Sequence, residues 1–429
     1  MKGVALSSFL LVALPLALPS AGEAQSRRVL EPSDHCTDQS ATAIVTFADS
    51  DLEDVVRAAL SVEAAEDLTC GKVAELTQLT VPSESEFVVY GGTLRPSPEK
   101  PFESLEGIQN LSNLTNLGIM NRLLTDIGPL SELTNLSFLN LHTNWISDIS
   151  PLSELTNLEQ LIVSENPIAD LSPLRRLTKL TRLQVHGLYP YQLEHFLAYD
   201  DGRDPNVVFN GITDLSPLAG LTELKLLRIH LNNISDISPL AGLSNLTHLR
   251  IYDNEIADIS PLTGLRKLKL LWAHNNEISD ISALGGMTEL LQLSLANNRI
   301  ADISALNGLT ALEHLFLEDN SITDIDPLDK LQQTVVLRLD NNAITDVRPL
   351  QNLSNLRELG LAHNDSLLNV QALLANEGIG RGDELDLRRT YVRCSDMDAF
   401  ESRGVALVRA TTLNGSGCGI QRLEEPPEY

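Results

Sequence analysis

Aliphatic residues recur along most of this chain with a period of 22 residues. Each period contains the pattern L-x-x-L-x-L-x-x-N-x-I, followed by D-I-x-P-L. One clear unit contains, in order, Leu243, Leu246, Leu249, Ile251, Asn254, Ile256, Asp258, Ile259, Pro261 and Leu262. The same residue types stand at the same places between 133 and 152. A period of this length indicates a solenoid in which each repeat forms one coil.

The first half of the repeat predicts a short β-strand. In L-x-L, alternation directs two aliphatic side chains into the core and leaves the flanking residues on the opposite face. Stacked coils then form a parallel sheet with one strand per coil. An asparagine follows each strand where the chain turns, and its amide can satisfy backbone groups of adjacent coils in a buried ladder. These ladder asparagines are Asn144, Asn166, Asn232, Asn254, Asn276, Asn298, Asn320 and Asn342.

The second half of the repeat predicts a short helical turn on the return side. Aspartate suits the start of such a turn, and proline fits its first residues. Ten of the 58 acidic residues occupy this one position, so we interpret them as architectural caps rather than as a ligand site. They are Asp126, Asp148, Asp170, Asp214, Asp236, Asp258, Asp280, Asp302, Asp324 and Asp346.

The complete pattern is that of a leucine-rich repeat, and twelve registers of 22 residues fill positions 111–374. We therefore predict an α/β solenoid, a leucine-rich-repeat horseshoe with a parallel β-sheet on its concave face. Within this class, the unit N-x-I-x-D-I-x-P-L resembles the internalin-type repeats of secreted and surface bacterial proteins.

Residues 25–110 are expected to form an N-terminal cap. The segment from Ser50 to Leu60 has apolar residues at helical spacing, and Ser50 and Glu53 form a capping box. Internalin-type caps are similar, because they carry a short helical segment before Leu-Glu-Gly-Ile, which stands here at 105–108. The resemblance thus implies a helical cap and extends over roughly residues 42–374.

The four cysteines lie at the two ends of the chain, as Cys36, Cys70, Cys394 and Cys418. Three pairings are formally open. The most economical pairing closes each end separately, Cys36 with Cys70 and Cys394 with Cys418. We then expect a disulfide-closed C-terminal cap over 375–418, with degenerate strands near 385–387 and 405–407, and a flexible tail over 419–429.

The N-terminal residues predict export. Lys2 precedes an apolar run from Val4 to Leu18, and the small residues Gly22 and Ala24 offer cleavage before Gln25. The run is too short and too broken by proline for a good membrane span. We expect residues 1–24 to be a signal peptide and the mature protein to be secreted, either extracellular or periplasmic. Disulfide bonds form and persist in both compartments.

Charge restricts the partners. The chain has 429 residues, with 58 Asp and Glu against 31 Lys and Arg, and its formal net charge is −27. Such a field repels phosphate backbones and anionic membranes, so we predict no nucleic-acid partner and no membrane insertion. An apolar fraction of 43% excludes a disordered acidic chain, and an aromatic fraction of 4% requires an aliphatic core.

One register departs from the pattern. The leucine positions are lost between 186 and 209, although Asn210 and Asp214 restore the count. We expect the strand of this register at 204–209. Two interpretations are open: a bulge or short helix with three tyrosines that shapes a partner site, or a decayed repeat that still packs. We favour the second.

The residues that flank the inward leucines face the concave surface, where positions 22 apart are neighbours at about 4.8 Å. One column contains His142, Ser164, His186, Val208, His230, Tyr252, His274, Ala296, Glu318 and Asp340. The next contains Asn140, Ile162, Gln184, Asn206, Arg228, Arg250, Trp272, Ser294, Phe316 and Arg338. Arginine and aromatic side chains on a concave sheet are typical of binding hot spots. We predict a partner-binding patch of Arg228, His230, Arg250, Tyr252, Trp272, His274 and Phe316.

These columns favour a non-enzymatic binding protein, expected as a monomer, whose ligand is a protein. No nucleophile elbow, phosphate loop or H-E-x-x-H motif is present, so we predict no catalytic residue and no cofactor. We predict no metal site, because His230 and His274 lie two coils apart and zinc needs converging ligands. A role in adhesion or surface interaction would be one form of this binding.

Two other functions stay open. A glycan-binding module would stack sugar rings on Tyr252 and Trp272, and a structural solenoid of an envelope or matrix would need no ligand. The histidines of the concave face also suggest pH-dependent binding, since histidine titrates near neutrality.

Overall fold

The computed structural model describes residues 28–37, 39–81, 87–90, 93–96, 101–188 and 211–408. In this part of the chain, 14 parallel strands form one open sheet, and two further strands form a separate antiparallel pair. The strands are β1 (Gln78–Thr80), β2 (Phe87–Tyr90), β3 (Thr93–Pro96), β4 (Asn116–Gly118), β5 (Phe138–Asn140), β6 (Gln160–Ile162), β7 (Arg182–Gln184), β8 (Leu226–Arg228), β9 (His248–Arg250), β10 (Leu270–Trp272), β11 (Gln292–Ser294), β12 (His314–Phe316), β13 (Val336–Arg338), β14 (Glu358–Gly360), β15 (Glu384–Asp386) and β16 (Ala406–Val408). β2 and β3 form the separate pair.

The helices of the described residues divide between the ends and the return side of the coils. The α-helices lie at the ends: α1 (Ser50–Leu60), α2 (Cys70–Val73), α3 (Gln371–Ala375) and α4 (Cys394–Ser402). Short 3-10 helices form the return side: Ile108–Asn110, Gly128–Glu132, Ser150–Leu152, Ser172–Arg176, Ser216–Leu218, Ser238–Gly242, Ser260–Gly264, Ser282–Gly286, Ser304–Gly308, Asp326–Leu328 and Arg348–Leu350. The predicted horseshoe with a parallel sheet on its concave face is confirmed.

The repeated leucines and isoleucines form one continuous core. Leu249 and Ile251 point inward from the sheet, and Ile256, Ile259 and Leu262 approach them from the turn and the return side. All five are at most 1% exposed. Burial of each such side chain contributes roughly 1.5–3 kcal/mol. Every coil supplies the same set to its neighbours, so a single coil cannot bury this surface alone.

The asparagine ladder is confirmed, as Asn276 shows. Its Nδ2 donates to the carbonyl oxygen of Ile251 in the preceding coil at 3.1 Å and to that of Ala273 in its own coil at 3.1 Å. Its Oδ1 accepts from the backbone N–H of Ile256, again in the preceding coil, at 3.0 Å. One amide therefore satisfies backbone groups of two coils at a turn that has no strand partner.

The aspartates of the return side act as predicted. Asp236 Oδ1 accepts from the backbone N–H of Ser238 at 2.8 Å, and its Oδ2 accepts from the Ser238 hydroxyl at 3.0 Å. These two hydrogen bonds lower the pKa of the Asp236 carboxyl. All ten aspartates of this position accept a hydrogen bond from the backbone N–H two residues later. They are scaffold groups.

The N-terminal cap contains the predicted helix, but the predicted capping box is wrong. Asp49, not Ser50, precedes the first turn of α1, and its Oδ1 accepts from the backbone N–H groups of Asp51 at 2.9 Å and Leu52 at 3.0 Å. Asp49 is held in the capping position because its Oδ2 also accepts from the backbone N–H of Glu103 at 2.6 Å. The predicted disulfide between Cys36 and Cys70 is present.

At the C-terminal end, β15 and β16 confirm the two predicted degenerate strands and extend the sheet beyond the regular repeats. Helix α4 begins at Cys394, which is disulfide-bonded. Its expected partner Cys418, the predicted tail over 419–429 and the predicted signal peptide over 1–24 lie outside the described residues.

The irregular register does not add a strand at the predicted place in the sheet. β7 pairs directly with β8, with Arg182 opposite Leu226 and Gln184 opposite Arg228. Residues 189–210, including Asn206 and Val208, lie outside the described residues, and the direct pairing leaves no space between β7 and β8 for a strand at 204–209. The described chain resumes at Gly211 beside Ala169 of the preceding coil.

Candidate functional site

The register of the sheet fixes one row of polar and aromatic side chains on the concave face. Gln184 pairs with Arg228, Arg228 with Arg250, and Arg250 with Trp272 on consecutive strands from β7 to β10. We call Gln184, Arg228, Arg250 and Trp272 the inner row. Four neighbouring coils therefore contribute one side chain each to a single line across the middle of the sheet.

A second row lies two residues further along each coil, and it is a continuous stack of rings. We call His186, His230, Tyr252 and His274 the ring row. The centroids are 4.1 Å apart for His186 and His230, 4.1 Å for His230 and Tyr252, and 4.3 Å for Tyr252 and His274. The corresponding angles between ring planes are 17°, 22° and 12°. Each ring therefore covers its neighbour face to face.

The contact between His186 and His230 differs from the sequence prediction, which placed Val208 between them. The count of 22 residues is preserved through the irregular register, and the count alone therefore assigned that register a place in the sheet. The missing L-x-L alternation at 204–209 was the signal against this assignment. His186 and Gln184 accordingly belong to the central patch, although the predicted patch did not include them.

Stacking buries the centre of the ring row. His230 is 4% exposed and Tyr252 is 7% exposed. Both faces of the Tyr252 ring are covered, by His230 on one side and by His274 on the other. The ring row is therefore a closely packed layer in which neighbouring rings cover each other's faces.

The inner row is held by two specific contacts. The Arg250 guanidinium lies over the Trp272 ring, with its central carbon 4.0 Å from the ring centroid. Arg228 Nη1 donates to Gln184 Oε1 at 2.9 Å. A cation over an aromatic face contributes about 0.5–2 kcal/mol, depending on how far it is desolvated. Both guanidinium groups therefore have fixed orientations before any ligand arrives.

The centre of the concave face is cationic. Burial lowers the pKa of the Arg228 guanidinium, and the neighbouring charges of Arg250 and Arg182 lower it further. Burial also lowers the pKa of His248, and the charges of Arg250, Arg228 and Lys269 act in the same direction. In a chain of net charge −27, these groups make a local patch of the opposite sign.

Two histidines of the ring row have pKa values far below neutrality. Burial lowers the pKa of His186 to about 4 and that of His230 to about 2, and the neighbouring arginines add to both shifts. Burial also lowers the pKa of His274. The imidazoles of His186 and His230 are therefore neutral between pH 5.5 and 8, and these two side chains do not supply the pH dependence suggested for the histidines of the concave face. Exposure, which the hypothesis assumed, is what these side chains lack.

Several buried polar atoms of the patch have no hydrogen-bond partner. Among the described residues they are Arg182 Nε, Arg228 Nε, Trp272 Nε1 and His230 Nδ1. The first three are N–H donors only. Buried donors without a hydrogen bond are uncommon in folded proteins, because each one costs free energy of folding. The patch is therefore short of acceptors.

Phe316 lies apart from the rest of the predicted patch. Ser294 separates it from Trp272 along the inner line, and Arg338 follows it on β13. The coils next to it carry the carboxylates Glu318 and Asp340; burial raises the pKa of both, the charge of Asp340 adds to the shift at Glu318, and Arg338 opposes both shifts. The structure thus brings together Arg228, His230, Arg250, Tyr252, Trp272 and His274, while Phe316 belongs to a different electrostatic environment.

Two further observations concern metals and membranes. Within the residues that the structure describes, no group of three or more His, Cys, Asp or Glu side chains is placed to hold a metal ion. Among the helices of the same residues, none combines the length and apolar character needed to cross a membrane.

Comparison with known proteins supports the fold and its class. The family model of leucine-rich repeats, in two copies, matches residues 244–286 and 288–330. A crystal structure of an internalin from Listeria monocytogenes is 31% identical and has a TM-score of 0.71, with the alignment covering 85% of this chain and 96% of that chain. A comparison with curated proteins found no match.

Two more distant structures share the fold alone. A leucine-rich-repeat protein of Leptospira interrogans is 17% identical with a TM-score of 0.56, and the alignment covers 79% of this chain and 97% of that one. The functional domain of InlJ from Listeria monocytogenes is 20% identical with a TM-score of 0.50, covering 79% of this chain and 80% of that domain.

Proposed function

This chain belongs to the internalin-type family of bacterial leucine-rich-repeat proteins, and on that premise we propose that it is a secreted, non-enzymatic protein that binds another protein with its concave face. Leucine-rich-repeat solenoids are typical of protein–protein interaction, because stacked coils create a long continuous surface. Adhesion or another surface interaction would use this mode of binding.

One observation carries the proposal: the inner row lies beside the buried ring row at the middle of the concave sheet. Hot spots are enriched in Trp, Tyr and Arg and sit in well-packed surroundings. Trp272 and Arg250 are such residues, and their contact at 4.0 Å fixes both side chains in advance. Fixed side chains lose little conformational entropy on binding, which raises affinity.

The ring geometry favours a protein over a glycan. A sugar ring binds an aromatic residue through the flat face of its ring, and both faces of Tyr252 are covered by histidines. One face of Trp272 is covered by Arg250. The predicted stacking platform of two open rings is therefore missing, and the glycan alternative loses the feature that suggested it.

Export remains part of the proposal. The disulfide between Cys36 and Cys70 fits an oxidising compartment, either extracellular or periplasmic. The predicted signal peptide over 1–24 supplies the route. N-terminal sequencing of the protein purified from its natural source tests this step, and a mature chain that begins at Gln25 is the expected result.

The binding function is tested by affinity capture with the mature protein, identification of the captured proteins and a binding titration with the purified partner. Trp272→Ala removes the largest side chain of the inner row, and Arg299→Ala changes an exposed arginine outside it, whose side chain is 65% exposed. We expect capture by wild type and Arg299→Ala, and loss with Trp272→Ala. Equal capture by all three contradicts the proposal. Capture by none favours the structural role in an envelope or matrix.

A further inference from the structure

We infer that Arg182, Arg228 and Arg250, grouped beside Trp272, bind a carboxylate-bearing segment of the protein partner. This inference rests on the proposed function and assigns a chemistry to its ligand. The segment is an acidic peptide stretch whose Asp or Glu side chains reach the guanidinium and indole N–H groups of the patch.

The first argument comes from ion pairing. Elsewhere in the described chain, many arginines have a carboxylate partner: Arg57 pairs with Glu53, Arg176 with Glu154, Arg299 with Glu277, Arg348 with Asp346 and Arg388 with Asp386. Arg182 and Arg228 pair with no carboxylate of the described residues, although the chain has nearly two acidic residues for each basic one. Among the described residues these two guanidinium groups thus have no carboxylate counter-charge, and a carboxylate of the partner would supply one.

The second argument comes from unpaired donors. Arg182 Nε, Arg228 Nε and Trp272 Nε1 are buried N–H groups without an acceptor. A carboxylate offers two oxygens that accept hydrogen bonds and carry the complementary charge, and its bonds to guanidinium groups are among the strongest in proteins. A neutral ligand would meet the donors but leave the mutual repulsion of the arginines in place.

The third argument comes from orientation. Arg228 donates to Gln184, which is itself 5% exposed, so the guanidinium is anchored to a buried side chain of the inner row while its Nε stays unbonded. Such prior ordering is what a recognition site needs, because a freely rotating arginine would lose entropy when it binds.

The surrounding charge makes the patch selective. Net charge −27 repels an acidic ligand everywhere except where the local potential is reversed. The C-terminal half of the concave face, with Glu318 and Asp340, repels the same ligand. A partner segment is thus directed to the coils from β7 to β10.

The test uses fluorescein-labelled deca-glutamate, with deca-glutamine as the neutral probe, in anisotropy titrations of the folded mature protein. Arg182→Gln/Arg228→Gln removes two charges from the patch, and Arg176→Gln/Arg299→Gln removes two charges from exposed positions outside it. We expect deca-glutamate to bind wild type and Arg176→Gln/Arg299→Gln with the same affinity. Its affinity for Arg182→Gln/Arg228→Gln should be lower by a factor of about ten or more. Raising salt from about 50 to 300 mM should weaken binding to wild type.

A direct optical readout comes from Trp272. In the background Trp145→Phe, Trp272 is the remaining tryptophan, and its emission should change on addition of deca-glutamate but not of deca-glutamine. Equal binding of the two peptides, or equal weakening by the two charge variants, overturns the inference. A sulfated oligosaccharide that binds the patch while deca-glutamate does not also overturns it, in favour of a sulfated ligand.

Failure of this inference can be separated from failure of the proposed function. If the natural partner is lost with Trp272→Ala but retained by Arg182→Gln/Arg228→Gln, the concave face binds a protein without the carboxylate contact. If the partner is retained by both variants, the concave binding function itself fails.

Discussion

The imidazole of His230 lies against the phenol ring of Tyr252, with centroids 4.1 Å apart and planes inclined by 22°. The two side chains come from consecutive coils. Their contact joins the coils of β8 and β9 on the concave face, as the leucines join them in the core. The concave face is therefore a second packed layer at this point. Stability and recognition share the same residues here.

Tyr252→Ala should lower the free energy of unfolding by about 3 kcal/mol, as truncation of a large buried aromatic side chain usually does. The change removes the ring between His230 and His274 and opens a gap in the stack. Tyr252→Phe keeps both ring contacts and should cost less than half as much. Urea unfolding followed by circular dichroism measures both values. An equal loss in the two variants would locate the contribution in the hydroxyl group instead.

The buried histidines predict a loss of stability at mildly acidic pH. The pKa values of His186 and His230 are lowered from 6.5 to about 4 and about 2, so the unfolded chain takes up protons below pH 6.5 while the folded chain does not. The free energy of unfolding is therefore not reduced by these histidines above pH 6.5, and it falls as the pH decreases from 6.5 toward 4. The expected slope is about 1.4 kcal/mol per pH unit for each histidine.

Unfolding by urea at a series of pH values from 7 to 4 measures this slope. The variant His186→Asn should remove one histidine's share of it, while Asn307→Ala, which changes no titratable group, should leave the slope unchanged. A profile of wild type that stays flat down to pH 4.5 would show that the ring row opens to solvent.

Asn276→Ala should lower the free energy of unfolding by about 1–3 kcal/mol, because backbone groups of two coils lose their hydrogen-bond partner at once. Asn307→Ala is the matched control: Asn307 is exposed, and among the described residues its side chain accepts only from Lys330, at 3.2 Å. The control should stay within about 0.5 kcal/mol of wild type. Equal effects at the two positions would mean that the ladder adds no stability of its own.

Arg228→Gln should raise the free energy of unfolding by about 0.2–1 kcal/mol, in line with the cost of like charges on paired strands. Arg228 and Arg250 are direct neighbours in register, and Arg182 adds to the repulsion. The same substitution should weaken deca-glutamate binding, so stability and affinity should move in opposite directions. Thermal unfolding with and without the peptide checks both. A drop in stability would show that the Gln184 contact outweighs the repulsion.

Much of the fold could be predicted from the sequence because the repeat states each physical requirement many times. Leu249 and Ile251 mark the inward side of a strand, Asn276 marks the turn and Asp236 marks the return side, and all of them act as the pattern indicates. A position that carries the same residue type in every coil has the same environment in every coil, so one coil predicts the others.

The features of the fold that were not predicted depend on interactions that do not repeat every 22 residues. Asp49 caps α1 because Glu103, distant in the sequence, donates to the same carboxylate. A count of 22 residues cannot reveal that β7 pairs directly with β8. The burial of Tyr252 depends on the rings that flank it. In the candidate site, residue identity was therefore predictable, whereas exposure and protonation were not.

The asparagine ladder gives the solenoid a direction. Each ladder asparagine reaches back to the coil that precedes its own, as Asn276 does toward Ile251 and Ile256. The ribosome makes the coils in the same order, so every coil finds its acceptor and donor groups already synthesised when its asparagine emerges. The newest coil is always the unsaturated one. The folded structure can therefore grow coil by coil toward the C-terminus, because each new coil completes the hydrogen bonds of the coil before it.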